Sequence, residues 1–79
     1  MHILVNGTEK SFPEPLTVEK LLEHLGLDKR KLAVERNREI IPKTEFTSIN
    51  LCDGDEIEIV HFIGGGTGRA QRGRNDIDT

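Results

Sequence analysis

The side chains of this 79-residue sequence that could bind a metal or act as base or nucleophile are three histidines, one cysteine and a cluster of carboxylates. His2, His24 and His61 fall on different segments, and no Cys-x-x-Cys, His-Glu-x-x-His or phosphate-loop pattern accompanies them. Cys52 stands in Leu51-Cys52-Asp53-Gly54, beside acidic residues that disfavour a thiolate, so a structural role is expected for it. His61 lies close to a glycine run, but no second titratable group is evidently placed to tune it, and it reads as a residue on the less buried face of a strand. The acidic cluster Asp53, Asp55, Glu56 and Glu58 reads as a solvated rim suited to electrostatic steering rather than to holding a metal.

Gly64-Gly65-Gly66 offers a different kind of chemistry, that of the main chain itself. Three glycines directly after an apolar run give up side-chain packing and conformational stiffness together. They read either as a flexible linker or as a thread that enters a partner's cleft. Extended, the four residues after Phe62 reach about 13 Å, and a strand without Cβ atoms passes a narrow tunnel.

The elements that must carry this thread follow from local signals. His2 to Asn6 and Glu9 to Phe12 flank Asn6-Gly7, a pair suited to a tight hairpin, before Pro13 and Pro15 interrupt the pairing. Thr17 is a good N-cap, and Val18, Leu21, Leu22 and Leu25 make one apolar stripe. Leu16 and Leu21 are spaced as a hydrophobic staple, Gly26 suits the left-handed stop, and Leu27 can pack back on Leu22. This is the one convincing helix.

A second hairpin joins Leu32–Arg36 to Glu39–Ile41 through Asn37-Arg38, and Pro42 ends it. After the turn at Asp53-Gly54, the residues Ile57, Ile59, Val60, Phe62 and Ile63 form the strongest strand signal. A single helix stripe can be buried only against one face of a mixed sheet. The expected fold is therefore α+β, a ubiquitin-like β-grasp of four to five strands with one main helix. Residues 1–66 form the domain, and residues 67–79, with only Ala70 and Ile77 as aliphatics, are expected to be a disordered tail.

Composition narrows the partners. The net charge is −3, and up to Gly66 the chain carries eight Lys/Arg against twelve Asp/Glu. An acidic body is repelled by phosphate backbones, and without Trp or Tyr it lacks surface for stacking bases, so no nucleic acid is expected. One cysteine excludes an internal disulfide and points to a reducing compartment. With neither a leader pattern nor a long apolar run, the chain is expected to be a cytoplasmic monomer that does not engage membranes.

Three stretches together resemble the ThiS sulfur carriers of thiamin biosynthesis. They are Val5-Asn6-Gly7; Val34-Glu35-Arg36-Asn37 with Ile40-Ile41-Pro42; and Asp53-Gly54-Asp55 with Ile57-Glu58-Ile59-Val60-His61-Phe62-Ile63-Gly64-Gly65-Gly66. The resemblance implies a protein co-substrate rather than an enzyme. Gly66 would bear the acyl-adenylate and then the thiocarboxylate, with Gly64 and Gly65 as the thread. Asp55, Glu58, Phe62 and Ile63 would form the docking surface. The carrier itself would bind no cofactor; a ThiF-type adenylyltransferase would use ATP and Mg²⁺, a persulfide protein would donate sulfur, and thiazole synthase would receive it. Because Thr67–Thr79 follow, the Gly66 carboxyl is held in a peptide bond. Either a protease removes the tail, or the tail is foreign to the carrier, or the chain is a binding module that carries nothing. A carrier of another pathway, such as molybdopterin synthesis, would present the same kind of thread.

Overall fold

The computed structural model describes residues 1–62; Ile63, the glycine run and the tail expected from the sequence lie outside the described residues. Strands β1 (His2–Val5) and β2 (Thr8–Ser11) form the first hairpin, helix α1 (Val18–Leu25) follows, β3 (Leu32–Arg36) and β4 (Glu39–Ile41) form the second hairpin, and β5 (Glu56–His61) comes last. The five strands make one mixed sheet in the order β2-β1-β5-β3-β4. β5 runs parallel to β1 and antiparallel to β3, so the last strand is the central one.

Both hairpins close through two-residue loops whose residues take positive φ: Asn6 at 51° and Gly7 at 83°, Asn37 at 51° and Arg38 at 74°. Such turns match the right-handed twist of the flanking strands. Asparagine tolerates this conformation, whereas arginine is strained in it.

The helix forms as its sequence signals require. The Thr17 side chain accepts the Lys20 N–H at 3.1 Å. At the other end, Gly26 at φ 71° lets its own N–H reach the Glu23 carbonyl and the Leu27 N–H reach the Leu22 carbonyl. That pair of bonds is the Schellman closure, which satisfies carbonyls the helix leaves free.

Val18, Leu21 and Leu22 pack into one core with Ile3, Val5, Leu32, Val34, Ile41, Ile57 and Ile59 from a single face of the sheet. Leu16, Phe46 and Leu51 complete it from the connections. Phe46 is the largest fully buried side chain, and it was not singled out from the sequence. It sits just after a one-turn 3₁₀ helix, Lys43–Glu45, and its carbonyl accepts the Glu19 N–H at the start of α1. A connection that looks like a plain loop thus supplies the plug between helix and sheet. A second short 3₁₀ turn, Lys29–Lys31, leads into β3.

Replacing Arg38 with glycine should remove the strain at the β3–β4 turn and stabilise the fold by about 0.5–1 kcal/mol. Thermal melting should register this as a rise of a few degrees for a domain of this size. An unchanged or lowered midpoint would show that the Arg38 side chain compensates its backbone.

Candidate functional site

The site is the carboxyl end of β5 and the sheet face beside it. Opposite Lys31, the Phe62 N–H donates to the Lys31 carbonyl at 2.9 Å, so the pairing with the β3 side persists to the last described residue. The Phe62 ring is half-buried, with the Lys43 ammonium 5.0 Å from its centroid. His61 is exposed, but by alternation it shares the helix-side face with Ile57 and Ile59 rather than lying on the less buried face expected for it.

Strand alternation places Glu56, Glu58 and Val60 on the face opposite α1. Across the β3 ladder Glu58 faces Glu35 and Val60 faces Ala33, and Glu35 in turn faces Ile40 on β4. Beside β1, Glu56 pairs with Leu4, which pairs with Glu9. The face therefore mixes carboxylates with aliphatic side chains, and among the described residues Ile40, at 58% exposure, is the large apolar residue most open to solvent. A shallow groove of about 410 Å³ crosses it between the two hairpin turns, lined by Leu4, Gly7, Glu35, Arg38, Glu56, Ile57 and Glu58.

Of the expected docking residues, Glu58 belongs to this face, Phe62 stands at its end, and Ile63, Gly64, Gly65 and Gly66 lie outside the described residues. Asp55 is a correction. Only 7% exposed, it turns inward, where its carboxylate accepts hydrogen bonds from Arg36 Nε at 2.9 Å, Asn37 Nδ2 at 3.1 Å and the Cys52 N–H at 2.8 Å. Burial pushes this carboxyl up, but the bonds from Cys52 and Asn37 and the Arg36 charge outweigh it and hold it below the usual carboxylate range. Asp53 is also engaged, accepting the His2 N–H at 2.6 Å. The acidic rim is thus two structural aspartates and two exposed glutamates.

Cys52 does not pack in the core, where its neighbour Leu51 sits; it contributes its N–H, donated to the Asp55 carboxylate. Its thiol is exposed, with Arg36 Nη2 at 3.5 Å. His2 lies 3.3 Å from Glu9, and the His24 ring is 5.4 Å from that of Phe12, so the three histidines stay apart. Among the described residues, no group of three His, Cys, Asp or Glu side chains is arranged to hold a metal, and no helix is long and apolar enough to cross a membrane.

Residues 3–66 match the model of the ThiS family. The chain belongs to that family. It is 50% identical over 50 residues to the sulfur carrier protein ThiS of Bacillus subtilis, a match that covers 63% of this chain and 76% of that protein. The crystal structure of the thiamine biosynthesis protein ThiS from Geobacter metallireducens superposes with a TM-score of 0.73 at 33% identity, covering 84% of this chain and all of that one. A thiazole synthase of Paramagnetospirillum magneticum is 51% identical over 70 residues, 89% of this chain but 22% of that protein. The chain thus spans about a fifth of that relative's length.

In this ThiS-family fold, sequence reasoning missed Glu9, Glu35 and Ile40 as members of the open face. Period-two alternation was the available signal, but it assigns a face only once the strands are paired. Asp55→Asn should destabilise the protein at neutral pH by about 1–3 kcal/mol, because an amide cannot accept all three bonds and leaves Arg36 without its counter-charge. Since the folded carboxyl sits below its unfolded value, the stability it contributes is present above about pH 4 and fades as pH falls further. Denaturant melts of both proteins should therefore converge in acid; a gap that stayed constant would assign the loss to packing alone.

Proposed function

We propose that the chain is a sulfur carrier for thiazole formation in thiamin biosynthesis, loaded at the carboxyl group of Gly66. The observation that carries this reading is the placement of β5: the strand that leads into Gly64-Gly65-Gly66 is the central one, bonded on both edges, so the thread is rooted in the most constrained part of the fold. The family match, which extends through residue 66, supports it.

A carboxylate is a poor electrophile, and it becomes a good one by acquiring a leaving group. In the proposed cycle a ThiF-type adenylyltransferase supplies ATP and Mg²⁺, the Gly66 carboxylate attacks the α-phosphorus, and pyrophosphate departs. A persulfide then displaces AMP at the acyl carbon, and a thiol that cleaves the S–S bond leaves the thiocarboxylate. Stabilisation of the developing charge belongs to the partner. This chain contributes the carboxyl group, the reach of its glycines and a docking face on which Glu56 and Glu58 favour approach by a basic surface.

Thiazole synthase is the proposed recipient of the sulfur. A polypeptide of that name containing a segment half identical to this chain favours the pairing, since it places carrier and recipient in one molecule. The similarity there covers 70 residues and so reaches past Gly66 wherever in this chain it begins. Release of Gly66 by cleavage is therefore part of the proposal.

A chain ending at Gly66 should support ATP–pyrophosphate exchange with a ThiF-type enzyme, and the full-length chain should not. Gly65→Leu in the shortened chain should abolish exchange without lowering the melting temperature. Equal modification of the full-length chain would remove Gly66 from the mechanism, and an inert shortened chain, tested with an enzyme active on another carrier, would favour a simple binding module.

A further inference from the structure

The β1 side of β5 ends in an unusual way. On that edge the main-chain groups of Asp55, Ile57 and Ile59 point toward β1: the Leu4 N–H bonds the Asp55 carbonyl at 3.0 Å and the Asn6 N–H bonds the Ile57 carbonyl at 2.9 Å. β1 turns away at Asn6-Gly7, so no strand remains to meet Ile59. The Asn6 side chain meets it instead. Its Oδ1 accepts the Ile59 N–H at 2.8 Å, and its Nδ2 donates to the Ile59 carbonyl at 3.3 Å.

One carboxamide thus reproduces the paired donor and acceptor of a strand residue and extends the parallel ladder beyond the point where the backbone has left. The register with β3 puts the His61 main-chain groups on this same edge, two residues further on, and among the described residues no hydrogen bond reaches them. Among the described residues, Asn6 is therefore the last hold on the β1 side of β5, while the Phe62 N–H bond to Lys31 is the last on the β3 side.

We infer that Asn6 is a positioning residue for the acyl-bearing end: by holding Ile59 it keeps the end of β5 in line with the sheet and so aims the residues that follow into the partner's cleft. The inference rests on the carrier reading. Its physical basis is that a reacting group misplaced by about 1 Å can lose on the order of 100-fold in rate, so the fixity of the last anchored residue matters more than its distance suggests. The turn itself does not need the amide, because glycine adopts a φ of 51° without strain. Asn6→Gly therefore deletes both bonds to Ile59 while keeping the hairpin geometry.

Two measurements test this. In the full chain, Asn6→Gly should accelerate exchange of the Ile59 amide by about 10-fold or more beyond any change at Leu21 and Val34, which report global opening. Asn6→Asp, which can accept the Ile59 N–H but cannot donate to its carbonyl, should fall between the glycine variant and the unaltered protein. Among the described residues every buried apolar side chain lies between Ile3 and Ile59, so a chain ending at Gly66 keeps all of them. In that chain Asn6→Gly should lower kcat for adenylation about 10-fold with KM for the carrier unchanged, because the docking face is intact. The inference is overturned if Ile59 exchange merely follows global stability, or if KM rises while kcat holds. The unaltered shortened chain is the control: its failure to be adenylated would strike the carrier reading, whereas the exchange result on Asn6 would stand independently.

Discussion

Parallel pairing of β1 with β5 is the constraint on which the rest of this structure depends. Parallel neighbours cannot be joined by a tight turn, so the chain between them must cross over. Here the crossover contains α1 and the whole second hairpin, which then pairs on the far edge of β5. The crossover covers one face of the sheet with the helix and leaves the other open. It also makes β5 central, so that the strand reaching toward the glycines is bonded on one flank by the amino-terminal strand and on the other by β3 from the middle of the sequence.

Charge is divided along the same line. Asp55 turns inward and joins the start of β5 to the β3–β4 turn, while the exposed Asp53 accepts the His2 N–H at the amino end of β1. Glu56 and Glu58, one and three residues further on, project from the open face beside Glu35 and Glu9. Acids adjacent in sequence therefore serve different ends. A buried carboxylate must have its lone pairs met by donors, whereas exposed ones remain solvated and act at longer range.

For the proposed carrier role this economy suffices. The reaction needs a carboxyl group presented at the right place, and a small domain with a thin core can present one without a deep pocket. Ladder bonds to β3 and the Asn6 carboxamide hold β5 on both edges, and exposed aliphatic and acidic residues lie next to it. Relatives similar to this chain include a sulfur carrier protein ThiS and a segment of a thiazole synthase, so a unit of this kind occurs both as most of a small protein and within a larger one.

Much of this was legible in the sequence because it depends on neighbours along the chain. The Thr17 cap, the Gly26 stop, both asparagine turns and the limits of β3 and β4 each follow from the φ and ψ that a few consecutive residues accept. The glycine run was equally plain, as a place where side chains are given up. Tertiary structure alone decided that Asp55 is buried, that Phe46 fills the core from a connection, that Glu35 faces Glu58, and that Asn6 bonds Ile59, 53 residues away. No local pattern encodes these outcomes. They depend on which strands become neighbours, and that is settled by burying a single core from segments far apart in the chain.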